Sequence, residues 1–298
     1  MRIGLLLPSP LASKNYAKNR IFAPKYPAQN LADGLVDKGH EVVFYTTHDV
    51  ETKAKIVPGD KNLVEKNPEY YKFRFRTEEE KKYANIEIIK RDFEYDLTAR
   101  CYKDCLDGKI DIVHSYHDFG AHYFNEITNF PTVYTLHDPV PQSNSENTIE
   151  YLRLSKFTHH NYVSISNSQR KGILDLNFIA TVYHGLRLED YEFNNSPQNH
   201  LIYFGRLIED KGPETAVQLA LEVGIPLHMA TSASEANRDI KFYEEKIKPY
   251  VDGKKIIMLG YLLEKEKSDF IKKAKAYILP LRWEEPFGLT IIEAMACG

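Results

Sequence analysis

Two successive doubly wound α/β domains are the fold this sequence predicts, on three observations. Short apolar segments alternate with helix-period segments from the N-terminus onward, a polar stretch over residues 186–200 interrupts them, and the same alternation then restarts. Such alternation means parallel sheets joined by right-handed crossovers. The expected domains are residues 1–190 and 191–298. Ligands of such sheets bind outside the carboxyl ends of the strands, and two facing domains would hold one cleft between them.

In order, MRIGLLLPSP opens with a buried strand over residues 2–7, and no signal-peptide cleavage pattern follows it. A helix ends near Leu35, and GHEVVFYTT supplies a glycine stop and a strand rich in β-branched and aromatic residues. Residues 51–82 are polar with weak periodicity and are expected to form a long excursion. A helix through Leu97 and Cys105 follows, then strands in DIVHSY, PTVYTLHDP, NYVSISNSQR and ATVYHG. Past the polar stretch come strand LIYFG, a helix over 213–223, strand PLHMA and helix SEANRDIKFYEEKIKPYV. Strand KIIML, helix SDFIKKAKA, strand YILPL and a helix from about Leu289 complete the series.

Composition excludes several classes of function. The formal charge of -3 argues against nucleic acid as the main ligand. No apolar run approaches the roughly 18–20 residues that span a bilayer. The chain has only three cysteines, and Leu97, Cys101 and Cys105 fall four apart on one helix face, which suits burial in a reduced cytoplasm better than a disulfide framework. Lys14, Lys18 and Arg20 would give at most a weak peripheral contact with an anionic membrane surface or with an anionic acceptor, and otherwise a solvated loop.

Two clusters carry chemistry. In EEPFGLTIIEAMACG, proline and glycine place Glu285 in a turn and Glu293 in the first turn of the following helix. Carboxylates there would accept hydrogen bonds from a hydroxylated ligand, and backbone N–H groups near Gly288 and Leu289 would suit an anion. The alternative is a surface turn and an amphipathic helix with a dipole-favoured acid. In YFGRLIEDKGPE, Arg206 and Lys211 flank an acidic loop before a helix N-terminus, a plausible diphosphate clamp. Pairing with Glu209, Asp210 or Glu214 as a solvated loop is the alternative.

The histidines are less specific. His114, His117 and His122 lie close in sequence, but a strand-to-loop segment does not assemble a metal site from that spacing. His159 and His160 are adjacent and on a regular element would point apart. No metal site is expected.

Together, GRLIEDKGPETA, the E-x7-E element with its FG, EAMACG and the segment from IIMLGYLL onward resemble the nucleotide-sugar domain of the retaining glycosyltransferases of family 4. MRIGLLLPSP, DIVHSYHDF, PTVYTLHDP, VSISNSQR and VYHGLRLEDYEF agree in order, so the resemblance spans nearly the whole chain. It implies the GT-B fold, two Rossmann-like domains facing a cleft, and metal-independent transfer of a sugar from a nucleoside diphosphate to an acceptor hydroxyl with retention. It implies that Arg206 and Lys211 bind the diphosphate, Glu285 the transferred sugar and Glu293 the ribose. Backbone N–H groups of Phe287, Gly288 and Leu289 would lie close by, with the backbone at Leu262 meeting the base and His137 near the reacting face of the sugar. No cofactor is implied beyond the donor, for which a uridine nucleotide is favoured. The acceptor stays open among glycan, lipid-linked and small-molecule hydroxyls.

Two departures qualify the family pattern. The loop PLASKNYAKNRIFAPKYPAQN has no glycine where the family has a Gly-Gly element, and the chain stops at Gly298, where a truncated second domain is expected. They motivate an alternative, a nucleotide-sugar-binding protein or inactive fragment without transfer. An epimerase on the same fold and a carboxylate-pair hydrolase are weaker readings. A dinucleotide oxidoreductase is disfavoured, because PSPLASK replaces a G-x-G-x-x-G.

Overall fold

The computed structural model describes residues 1–14, 22–61, 78–116, 120–143, 146, 148–231, 237–262 and 264–298, with the backbone alone at 78–87, 89, 237–238 and 264–265. The described residues fall into two compact units, the first ending at His184 and the second running from Gly185 to Gly298.

The first unit is a seven-stranded parallel sheet in the order β3-β2-β1-β4-β5-β6-β7. Its strands are β1 (Arg2–Leu6), β2 (Glu41–Thr46), β3 (Lys55–Pro58), β4 (Ile112–Ser115), β5 (Thr132–Thr135), β6 (Asn161–Ser164) and β7 (Phe178–Thr181). Helices α1 (Lys25–Asp37), α2 (Glu78–Leu106), α3 (Gly120–Thr128) and α4 (Ile149–Leu154) connect them. Both faces of the sheet are covered, which is why its central strands are apolar without alternation. Leu5, Val42 and Phe44 pack with Ala28 and Ala32 of α1, while Leu6, Val43 and Tyr45 pack with Leu97, Cys101 and Cys105 of α2. All three cysteines are buried and none is in a disulfide.

The second unit is a four-stranded parallel sheet in the order β10-β9-β8-β11. It comprises β8 (Leu201–Phe204), α5 (Pro213–Val223), β9 (Leu227–Ala230), α6 (Asn237–Lys246), β10 (Ile256–Gly260), α7 (Glu264–Lys272), β11 (Ala276–Tyr277) and α8 (Leu289–Cys297). Leu201 and Tyr203 face Ala216 and Val217 of α5, whereas Ile202 and Phe204 face Phe270 of α7 and Cys297 of α8.

Several expectations need correction. Residues 51–82 are not all excursion, since β3 pairs with β2 there and α2 begins at Glu78. β3 is an edge strand ending in Pro58, and edges tolerate a residue without an N–H donor. α3 and α4 form where only strand-to-loop segments were expected. The strand expected in ATVYHG is shifted, because β7 ends at Thr181 and Val182 and Tyr183 are exposed beyond it. β11 is shorter than YILPL suggested, with the Ile278 N–H adding one more sheet bond to the Ile202 carbonyl before Pro280 ends the donors.

Candidate active site

The chain order of the second sheet places a switch point between β8 and β11. β9 and β10 stack on one side of β8, and the chain then returns to its other side as β11. The loops leaving the carboxyl ends of β8 and β11 therefore diverge over one crevice, where such sheets bind ligands. Two glycines shape those loops. Gly212 starts α5 at φ +62°, and a Cβ there would lie 2.2 Å from the Pro280 carbonyl oxygen of the facing loop. Gly288 caps α8 at φ +83°, and a Cβ there would meet the Ile291 side chain at 2.7 Å. Left-handed backbone and close approach both require glycine at these points. The Tyr277 hydroxyl lies 2.9 Å from the Phe204 carbonyl and 2.8 Å from Thr290 Oγ1, tying the end of β8 to the first turn of α8.

These loops bring Lys211 and Glu285 into direct contact. The Lys211 ammonium pairs with Glu285 Oε2, and the two side chains are only 15% and 16% exposed. The chain's single tryptophan completes the group: Trp283 Nε1 donates to the same oxygen at 3.0 Å, and Lys211 Nζ lies 5.2 Å from the Trp283 ring centroid. A cation over an indole face is stabilised by the ring quadrupole. The alternative pairing of Lys211 with its own acidic loop is not what forms. Glu214 instead pairs with Arg282, whose backbone N–H donates to the Asp210 carbonyl at 2.9 Å. Arg206 is exposed just past β8, and its carbonyl accepts from the Tyr203 hydroxyl at 2.7 Å.

Glu293 sits in the second turn of α8 rather than the first, because Gly288 is the N-cap. It is 6% exposed. Its Oε1 accepts from Lys267 Nζ at 2.7 Å and from the Tyr191 hydroxyl at 3.0 Å. Leu262 follows β10 and packs, half-buried, against the cluster of Ile202, Phe204 and Phe270. Phe287 is half-buried, Gly288 is buried and Leu289 is the first residue of α8. Trp283, Lys267 and Tyr191 went unnoticed in the sequence. Only the single Trp, two residues from Glu285, offered a local signal.

In the first unit, His137 lies two residues past β5 at the carboxyl edge of the sheet. Its ring stacks on His184 at a centroid distance of 5.4 Å and against Tyr116 at 4.5 Å. Tyr116 directly follows β4, which with β1 forms the switch point of this sheet. Tyr116 and His184 were not anticipated, because topology and not spacing brings them to His137. His114 bonds Thr135 Oγ1 through Nε2 at 2.7 Å, whereas His122 is a buried residue of α3 that bonds His160, so the two do not converge. His117 lies outside the described residues, as do Lys18 and Arg20, while Lys14 pairs with Glu51 at 2.6 Å.

Burial pushes His114 and His184 down to about 4, and His122 to about 3. The folded chain keeps these rings neutral while the unfolded chain takes up protons below its ordinary value near 6.5. The stability they contribute is therefore complete above pH 6.5 and lost as pH falls toward 4. Thermal unfolding midpoints are expected to drop across that window, and His184→Phe to flatten part of the drop, as measured by circular dichroism.

The family model described as Glycosyltransferase Family 4 matches residues 28–189, and that of Glycosyl transferases group 1 matches residues 189–298. The chain belongs to glycosyltransferase family 4. Glycosyl transfer is its reaction class. Among relatives of this glycosyltransferase, an uncharacterised protein of the cps region of Klebsiella pneumoniae is 21% identical over 97% of this chain and 82% of its own length. An uncharacterised glycosyltransferase of Methanocaldococcus jannaschii is 22% identical over 91% and 73%. Sucrose-phosphate synthase of Thermosynechococcus elongatus superposes with a TM-score of 0.70 at 15% identity, covering 100% of this chain and 79% of that one. HepE of Anabaena, solved with UDP and glucose, gives 0.61 at 14% identity over 99% and 78%. These likenesses show the GT-B fold. Among the described residues no helix is long and apolar enough to cross a membrane.

Proposed function

We propose that this glycosyltransferase moves a sugar from a nucleoside diphosphate, with a uridine nucleotide favoured, to an acceptor hydroxyl with retention of anomeric configuration and without a metal at the diphosphate. The observation that carries the reading is the pairing of Lys211 with Glu285 from two loops at one switch point. A carboxylate beside a cation is the arrangement a sugar diphosphate needs, with hydroxyls to donate at one end and phosphate oxygens to accept at the other.

In this reading Lys211 and Arg206 hold the diphosphate, and Glu285 accepts from hydroxyls of the transferred sugar. The backbone of Phe287, Gly288 and Leu289 lies beside them, and the backbone at Leu262 meets the base. Glu293 meets the ribose while Lys267 and Tyr191 hold its Oε1. The bond from the anomeric carbon to the diphosphate breaks through an oxocarbenium-like transition state. Negative charge grows on the leaving group, where the two cations stabilise it. The acceptor oxygen bonds the anomeric carbon on the same face, and its proton passes to the departing diphosphate. No protein base is then needed, and in this reading His137, held in its stack with Tyr116 and His184, serves the transferred sugar as a hydrogen-bonding group.

The test is a panel of uridine, guanosine and adenosine diphosphate sugars with glycan and lipid-linked acceptors, and no added magnesium or manganese. Proton NMR of the product should show the donor's own anomeric configuration. An inverted product, or turnover only after magnesium or manganese is added, contradicts the reading.

A further inference from the structure

The adjacent histidines ahead of β6 do not point apart as the sequence suggested. They lie in a turn, and the Nε2 atoms of His159 and His160 both stand 2.8 Å from a single oxygen, Glu126 Oε1, near the end of α3. The ligand atoms of Glu126, His159 and His160 all lie within 4.8 Å of one another. They line a cavity of about 330 Å³ together with Asn129 and Asn161. This is the N-terminal edge of the first sheet, the edge opposite His137.

We propose that Glu126, His159 and His160 form a binding site for one divalent transition metal ion of the zinc class. Neutral imidazole nitrogen and carboxylate oxygen form a donor set that suits zinc, cobalt or nickel, whereas magnesium and calcium take oxygen ligands. Two ligands about 2.0–2.1 Å from a shared tetrahedral ion stand roughly 3.3 Å apart. Each Nε2, now 2.8 Å from Oε1, therefore needs to draw back by only about 0.5 Å.

The surroundings supply a partner for the ligand form of the buried ring. His160 Nδ1 lies 2.8 Å from His122 Nδ1, so one of the two carries the proton. With that proton on His160, its Nδ1–H donates to His122 and its Nε2 keeps the lone pair that an ion seated between it and Glu126 would take. His122 is itself fixed between the rings of Tyr134 and Phe157, at centroid distances of 4.0 and 5.0 Å. Access comes from the other side, because the His159 and Glu126 side chains are 63% and 43% exposed. Three protein ligands leave one tetrahedral position open to the cavity. Bound there, the ion ties α3 to the turn before β6. The site is independent of the donor reading and leaves the transfer step without a metal at the diphosphate.

Equilibrium dialysis of the untagged full chain against zinc(II), read by elemental analysis, tests the proposal. One zinc per chain is expected, with cobalt(II) giving the visible absorption of a tetrahedral site. Losing an outer partner of a ligand costs about 10–100-fold in affinity, so removing a ligand itself through Glu126→Gln or His159→Ala should cost at least that. Both positions are exposed enough for the melting temperature without metal to stay near that of the parent. Retention of no zinc, the same affinity in both variants, or displacement of zinc by millimolar magnesium would overturn the site.

Discussion

Replacing Lys211 with alanine is expected to lower kcat for sugar transfer by about 10²–10³-fold, the usual loss when one preorganised charge is removed from a developing anion. Lys211 is only 15% exposed and is held between Glu285 and the Trp283 ring, so its ammonium is fixed in place before any leaving group departs. That order is what makes the effect fall on kcat, because no reorganisation is left for the transition state. Glu285→Gln keeps an acceptor oxygen but loses the charge that pairs with Lys211, so KM for donor should rise along with a smaller loss in kcat. Steady-state kinetics of the two variants against the parent, with thermal unfolding as a control for the fold, separate these effects. A Lys211→Ala enzyme with unchanged kcat shows that the cation does not face the leaving group.

Removing Lys267 should act on the fold first. Lys267 and Glu293 are 10% and 8% exposed in their side chains, and their pair is joined by the Tyr191 hydroxyl. Breaking a buried pair by deleting one partner strands the other charge and costs about 3–5 kcal/mol. Lys267→Ala should show that loss in denaturant unfolding. Lys267→Met combined with Glu293→Leu should recover most of it, because two apolar groups of similar volume strand no charge. If the single variant unfolds like the parent, the pair is solvated and the burial argument fails. The double variant also isolates the ribose role of Glu293: a stable double variant with weakened donor affinity supports it, and one with parental affinity contradicts it.

The candidate site was legible where chemistry is local in sequence. Proline and glycine beside Glu285 announced a turn, and Arg206, Lys211 and the glycine–proline start of α5 announced a cationic loop at a helix start. What spacing could not supply was the partner across the sheet. Lys211 and Glu285 are 74 residues apart, and the parallel pairing of β8 with β11 unites them. The same holds for His184 beside His137 and for Glu126 beside His159 and His160. The fold was clearest in central strands covered on both faces, such as β1 and β2, whose apolar runs admit one interpretation. It was least clear at the margins. β3 is a half-buried edge of four residues, and β11 is a two-residue strand that keeps only Tyr277 of the expected YILPL run. The turn holding His159 and His160 shows the same limit, since the assumption of a regular element sent the two rings apart.

Calorimetric titration of uridine, guanosine and adenosine diphosphates into the parent chain and into Lys211→Ala tests most directly the claim that the β8–β11 crevice holds a donor diphosphate. One of the nucleotides should bind the parent with a single site, and the folded variant should bind it about 10²-fold more weakly, on the scale of a buried charge-assisted contact. Equal affinity in the two chains, with both folded, would place the diphosphate elsewhere.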